Sequence, residues 1–169
     1  MGSIAYGVAN KNPDMDIYGF CIPGREDVFP HLRGEIPGFG TQSKRFEQYQ
    51  QHRIIDPSAP GGKAQEYDFS IYSIVKYFQL CMENNPNMID SLFVPRRCIL
   101  YSTQVGEMVR ESRKLFLHKG AWHKFKGYSY SQLHKAEYSV PEQGTKRRAD
   151  YDQHGYSTKF AYHVVRLIS

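Results

Sequence analysis

Residues 66–82 change hydrophobic period in mid-run, which confines the fold to a sheet with helices packed on it. Glu66-Tyr67-Asp68-Phe69-Ser70 has the two-residue pattern of a short strand. Ile71, Ile74, Val75, Phe78, Cys81 and Met82 then fall at i, i+3, i+4, i+7, i+10 and i+11, one face of an amphipathic helix. An earlier stretch, Asp14-Met15-Asp16-Ile17-Tyr18-Gly19-Phe20-Cys21, alternates acidic or aromatic with apolar side chains and predicts another strand. Two strands and a strong helix in this order predict an α/β (α+β) fold.

Between the strands, residues 22–65 hold eleven Gly and Pro residues around the polar stretch Gln42–Arg53 and read as a long loop or lid. Asn84-Asn85-Pro86 ends the first helix, and a shorter apolar helix follows through Met88, Ile89, Leu92 and Phe93. Cys98-Ile99-Leu100-Tyr101 is a further candidate strand. Thr103 is placed to cap a helix carrying Val105, Met108, Val109 and Phe116. Residues 128–138 and 156–168 read as helices. The expected organisation is a core over 1–95 and a basic, mainly helical part over 96–169.

Charge divides the same way. Residues 1–95 carry 8 Lys and Arg against 11 Asp and Glu, whereas 96–169 carry 14 against 6. An acidic front and a basic back suit a metal site joined to a polyanion-binding surface, although charge alone also fits solvated helix faces. Aromatic residues make up 14 % of the 169-residue chain, too many for a disordered one. No apolar run approaches the ~18 residues of a membrane span, and no signal-peptide layout opens the chain. The three cysteines, Cys21, Cys81 and Cys98, are scattered and form no C-x-x-C, so a reducing, cytoplasmic setting is expected. No Cys/His quartet has zinc-ligand spacing.

The acidic pair carries the first chemical signal. On a strand Asp14 and Asp16 project to one face, and two carboxylates this close repel unless a cation lies between them. Mg²⁺ accepts one or two carboxylates together with phosphate oxygens. Gly2-Ser3, ten residues upstream, suits a turn whose backbone N–H groups meet phosphate. A third carboxylate completes a two-metal site. Asp68 on the second strand is the candidate, with Glu66 as the same-face alternate.

These residues carry a resemblance. Gly2-Ser3-x-Ala5-Tyr6-Gly7 followed by Asp14-x-Asp16-x-x-Gly19-Phe20 resembles the G-S…D-x-D signature of the DNA polymerase beta superfamily of nucleotidyltransferases. Tyr67-Asp68-Phe69, Asn85-Pro86-Asn87, Phe125-Lys126-Gly127-Tyr128 with Ser131-Gln132, and Gly155-Tyr156-x-x-Lys159-x-Ala161-x-His163-x-x-Arg166-Leu167 resemble its bacterial and phage branch, with RNA-repair-associated members. The resemblance implies a small mixed-sheet nucleotidyltransferase core with a helical C-terminal part, with Asp14, Asp16 and Asp68 as the metal-binding carboxylates and Gly2 and Ser3 as the nucleotide-phosphate turn. The superfamily has a strand before Gly-Ser where this sequence has only Met1, and members usually run past Arg166-Leu167, so a core without its first strand is expected. Pro13 stands where the branch commonly has Ser.

Lys159, His163 and Arg166 fall at i, i+4 and i+7, the latter two within about 40° of Lys159 on a helix. Such a stripe suits a triphosphate or a polynucleotide backbone, and equally an exposed helix face. Lys124, Lys126, Tyr128 and Tyr130 interleave charge with aromatics as single-strand binders do, a pattern that also suits amphipathic packing. The expected activity is transfer of a nucleoside monophosphate from a nucleoside triphosphate to an acceptor hydroxyl on RNA. Mg²⁺ or Mn²⁺ on Asp14, Asp16 and Asp68 would assist, and Lys159, His163 and Arg166 would grip the nucleotide. The rivals are an inactive nucleotidyltransferase-like module that binds nucleic acid and an enzyme that adenylylates protein.

Overall fold

A computed structural model describes residues 15–36, 38–41, 44–59 and 64–168. Gly2, Ser3 and Asp14 lie outside these residues. Two compact units divide the chain, one of Met1–Cys81 with Asp90–Arg113 and the other of Met82–Ile89 with Lys114–Ser169. Residues 90–113 thus group with the strands, and 82–89 with the C-terminal helices.

The first unit is built on the α/β pattern, with a mixed sheet of three strands in the order β1-β3-β2 among the described residues. Strand β1 (Met15–Cys21) runs parallel to β3 (Gln65–Ser73), and β2 (Gln48–Asp56) runs antiparallel to β3. The segment 22–65 is therefore not one loop. It holds a short helix α1 (Arg25–Val28), a 3₁₀ turn (Pro30–Arg33) and the whole of β2. Six of the first seven residues of β2 are Gln, Tyr, His or Arg with exposed side chains, so no apolar alternation advertises the strand. Its stability comes from ladder bonds to β3.

Helix α2 (Ile74–Met82) follows β3 without a loop. The Ser73 hydroxyl accepts the Lys76 amide at 3.2 Å, which starts the helix there. Ile71, expected on the helix face, thus belongs to β3. Tyr77 and Cys81 of α2 are buried, and the Phe20 ring lies 4.8 Å from that of Tyr77 and 6.3 Å from that of Phe78. Helix α3 (Pro86–Phe93) opens with Pro at its first position, and Asn85 Oδ1 accepts the Asn87 and Met88 amides. Helix α4 (Gln104–Glu111) has the expected cap: Thr103 Oγ1 accepts the Gly106 amide at 3.2 Å. Residues 98–101 are no strand. A 3₁₀ turn, Arg96–Cys98, leads into irregular chain, since Pro95 sets up a turn.

In the second unit, α5 (Gly120–Tyr138), α6 (Lys146–His154) and α7 (Thr158–Ile168) make a helical body in which α5 packs on α7. Helix α5 begins eight residues before the expected start at 128. Helix α6 was not expected. Its sequence, KRRADYDQH, has no apolar stripe, and its ends are set instead by the Thr145 cap and by Gly155 at φ 77°. Asn84, wholly buried at φ 53°, donates to the Phe116 carbonyl at 2.7 Å and accepts the His118 amide. Among the described residues no helix is long and apolar enough to cross a membrane.

Candidate active site

Parallel pairing of β1 with β3 brings the acidic residues together. Asp16 is the register partner of Asp68, Tyr18 of Ser70 and Phe20 of Tyr72. Register partners present their side chains on the same face, so Asp16 and Asp68 stand side by side at one end of a row. Further along the row Phe20 and Tyr72 meet Tyr77 of α2. The row is thus acidic at one end and packed at the other. Glu66, the alternate, pairs with Ile55 across the β2 side.

Strand β2 fixes the Asp68 carboxylate. Pairing runs regularly to Gln51↔Phe69 and resumes at Ile54↔Tyr67, so His52 and Arg53 both oppose Asp68. This is a β-bulge, and Arg53 takes φ 56° within it. The bulge turns the Arg53 amide to donate to Asp68 Oδ1 at 2.8 Å and sets His52 Nδ1 3.3 Å from Oδ2. Gln50 Nε2 lies 2.9 Å from the other ring nitrogen of His52. The Arg53 amide, and after it His52, hold the Asp68 carboxyl below the usual carboxylate range. An ionised, oriented carboxylate with free lone pairs remaining is what a hard cation needs.

Among the described residues β1 lies at one edge of the sheet, and a cavity of about 460 Å³ in the same unit runs along it, lined by Asp16, Tyr18, Arg97, Tyr101, Thr103 and Arg110 among others. Arg110 is held by donation from Nη2 to the Val94 carbonyl at 2.6 Å, while Arg97 is exposed. Beneath, the Tyr77 hydroxyl meets Ser91 Oγ at 2.5 Å, and burial pushes the Tyr77 phenol up. The neighbouring Cys81 thiol is pushed up to about 12 by burial, which leaves it an inert core group.

The basic stripe lies on α7, in the second unit. Lys159 is exposed, and His163 and Arg166 are half-buried. Burial, followed by the Arg166 and Lys159 charges, lowers the His163 pKa to about 4, so the imidazole is neutral at pH 7. His52, Arg53, Arg97 and Arg110 are additions that sequence reasoning missed. Nothing in the pattern around Asp68 signals that His52 and Arg53 of β2 bulge toward it. Among the described residues no three His, Cys, Asp or Glu side chains converge as a metal site, and Asp14, the further carboxylate, lies outside them.

A family model for RlaP, the RNA repair pathway DNA polymerase beta family, matches residues 1–168. No curated protein and no solved structure matches the chain.

Proposed function

The chain belongs to the RNA repair pathway DNA polymerase beta family, and from that premise we propose that it is a metal-dependent nucleotidyltransferase acting on RNA. The in-register pair of Asp16 and Asp68 carries this reading, because it sets two oxygen-donor groups on one sheet face beside an open groove. The donor set fits Mg²⁺ or Mn²⁺, with Asp14, Asp16 and Asp68 as the residues that would hold it. When bound, such ions neutralise the triphosphate and the developing charge on the entering and leaving oxygens.

The chain's own residues do the positioning. Asp68 stays ionised near neutral pH and, held by the Arg53 amide, draws on the proton of the acceptor hydroxyl. The acceptor oxygen bonds to the α-phosphorus, the bond from that phosphorus to the bridging oxygen breaks, and pyrophosphate leaves. Gly2 and Ser3 bind the phosphates through the backbone. On α7 of the second unit, Lys159 and Arg166 offer charge-assisted contacts to a phosphate-bearing ligand. His163 beside them is neutral at pH 7 and adds no charge to the stripe.

The test is incubation with each labelled nucleoside triphosphate, Mn²⁺ and RNA. Label should enter RNA with the wild type and not with Asp16→Asn or Asp68→Asn. Label on protein instead would make the chain a protein adenylyltransferase. RNA binding without any transfer would make it an inactive binding module.

A further inference from the structure

The second unit contains an open apolar cleft of about 500 Å³ that nucleotidyl transfer leaves without a role. Trp122, Lys126, Ser129 and Tyr130 of α5 line one side, and Val164 and Leu167 of α7 the other. Positions 122, 126, 129 and 130 fall on one helical face, so a single stripe of α5 forms the wall. Trp122 is 69 % exposed and Tyr130 63 %, unusual for two rings of this size on one stripe. Eight residues separate them, about 12 Å along the axis, so each ring offers its own stacking face. The Lys126 ammonium lies 5.9 Å from the centre of the Tyr130 ring.

Ser129 supplies the second, independent observation. It is only 8 % exposed, it lines the cleft, and its Oγ has no hydrogen-bond partner among the described residues. A buried hydroxyl without a partner, at the floor of an aromatic cleft, fits a ligand with a polar edge and a flat apolar face. Nucleobases have both. Exposed Lys119 and Lys126 fall within about 60° of Trp122 around the helix, and Glu137 is the one acid over residues 119–138, so the cleft side carries charge to match a phosphate chain. An apolar peptide would use the groove but neither the lysines nor the hydroxyl.

We propose that this cleft holds bases of single-stranded RNA, with Trp122 and Tyr130 as stacking platforms, Ser129 bonding a base edge and Lys126 facing the backbone. The occupant is the acceptor strand, and that identification rests on the proposed nucleotidyl transfer to RNA. Sequence alone puts Lys124, Lys126, Tyr128 and Tyr130 together. The helix sorts them, because Lys126 and Tyr130 join Trp122 at the cleft, whereas Tyr128 is half-buried outside its lining.

Trp122 is the one tryptophan of the chain, so its emission reports the cleft directly. The full chain is titrated with a single-stranded 12-mer RNA and with the same 12-mer in a duplex. Saturable quenching by the single strand and little by the duplex is expected. Trp122→Ala, read by fluorescence anisotropy of labelled RNA, and Tyr130→Ala should each weaken binding about five- to 150-fold. Trp122→Phe should retain most of it. Both rings are largely exposed, and a thermal melt checks folding; Lys126→Met serves if an aromatic variant unfolds, and should reduce the salt slope of binding. RNA bound without quenching, equal quenching by the duplex, or no RNA binding at all would overturn the proposal. Nucleotide transfer run in parallel separates the two readings. Transfer to RNA unaffected by Trp122→Ala removes the cleft and keeps the enzyme, whereas quenching without transfer keeps the cleft and removes the enzyme.

Discussion

The backbone amide of Arg53 donates to the carboxylate of Asp68 at 2.8 Å because Arg53 occupies the left-handed position of a bulge. The donor is main chain, so the side chain at 53 is replaceable and the conformation is not. Arg53→Gly should keep the bond and leave stability unchanged or raised by up to ~1 kcal/mol, since an L-residue at positive φ is strained. Arg53→Val should lower it by ~1–2 kcal/mol, because a β-branched side chain is worst suited to that region. Urea denaturation of the two variants measures the difference; equal losses in both would mean that strain at 53 is not what distinguishes them.

Metal binding should appear as a stability change before any activity is measured. Mg²⁺ or Mn²⁺ binding the native state at a hundredfold excess over Kd stabilises by ~2.7 kcal/mol. The melting temperature of the wild type should therefore rise on metal addition. Asp16→Asn and Asp68→Asn should abolish most of the rise, as should Asp14→Ala. An undiminished rise in all three variants would place the ion elsewhere.

How far the site could be read from the chain depends on which residues carry a periodic signal. β1 and the start of β3 alternate, so Asp16 and Asp68 were recognisable as strand carboxylates, and their register follows from parallel pairing. β2 was hidden, because Gln48-Tyr49-Gln50-Gln51-His52-Arg53 is polar on both faces and flanked by Gly and Pro. The bulge was hidden with it, and so were His52 and the Arg53 amide. Helix α6 escaped notice for the same reason, a polar surface all round, while the amphipathic α2 and α7 did not. Thr103 and Pro86 mark helix starts by local chemistry and need no partner to be read. The side chains of the Trp122 cleft come from two helices and meet across sequence separations of 31 residues or more, a meeting that only tertiary packing decides.

His163 makes stability depend on acid. Its pKa is lowered to about 4 in the folded chain, from about 6.5 when unfolded. Between these values the unfolded state binds a proton that the native state does not, so stability falls as pH drops from 6.5 toward 4. Above pH 6.5 the group contributes nothing to the slope. After allowance for partial exposure, the loss is on the order of 1–2 kcal/mol. His163→Gln should flatten this part of the stability profile, measured by urea melts from pH 4 to 7; an unaltered slope would assign it to other groups.

Protease sensitivity should respect the strand inside the Gly/Pro-rich segment. Phe39 is 75 % exposed and lies between Gly38 at φ 89° and Gly40 at φ 65°, whereas Tyr49 is held in the β2 ladder. Limited chymotrypsin digestion should cut after Phe39 before it cuts after Tyr49. Nucleotide with Mn²⁺ should slow that cut if the segment covers the carboxylates. First cleavage at Tyr49 would show that the β2 ladder opens more readily than the turn.

The stripe on α7 offers the clearest separation of nucleotide from polynucleotide binding. Lys159 is exposed, so Lys159→Ala should change stability by no more than ~0.5 kcal/mol, and any functional loss is then a loss of contact. If Lys159 and Arg166 grip a triphosphate, each alanine variant forfeits a charge-assisted contact of ~1.5–3 kcal/mol. Nucleotide use should then fall roughly ten- to hundredfold while RNA affinity holds. If the stripe tracks a polynucleotide backbone, RNA affinity should fall instead, and its salt slope should shrink by ~0.7 per lost contact. The nucleotide outcome is expected, because a neutral imidazole between two cations suits a compact phosphate cluster better than an extended chain. Arg166 is half-buried, so its variant is compared through the conservative Arg166→Lys as well, which keeps the charge and loses the planar fork. Nucleotide dissociation constants and RNA binding at several salt concentrations decide between the two. Unchanged nucleotide and RNA binding in both Lys159→Ala and Arg166→Ala would return the stripe to an ordinary solvated helix face.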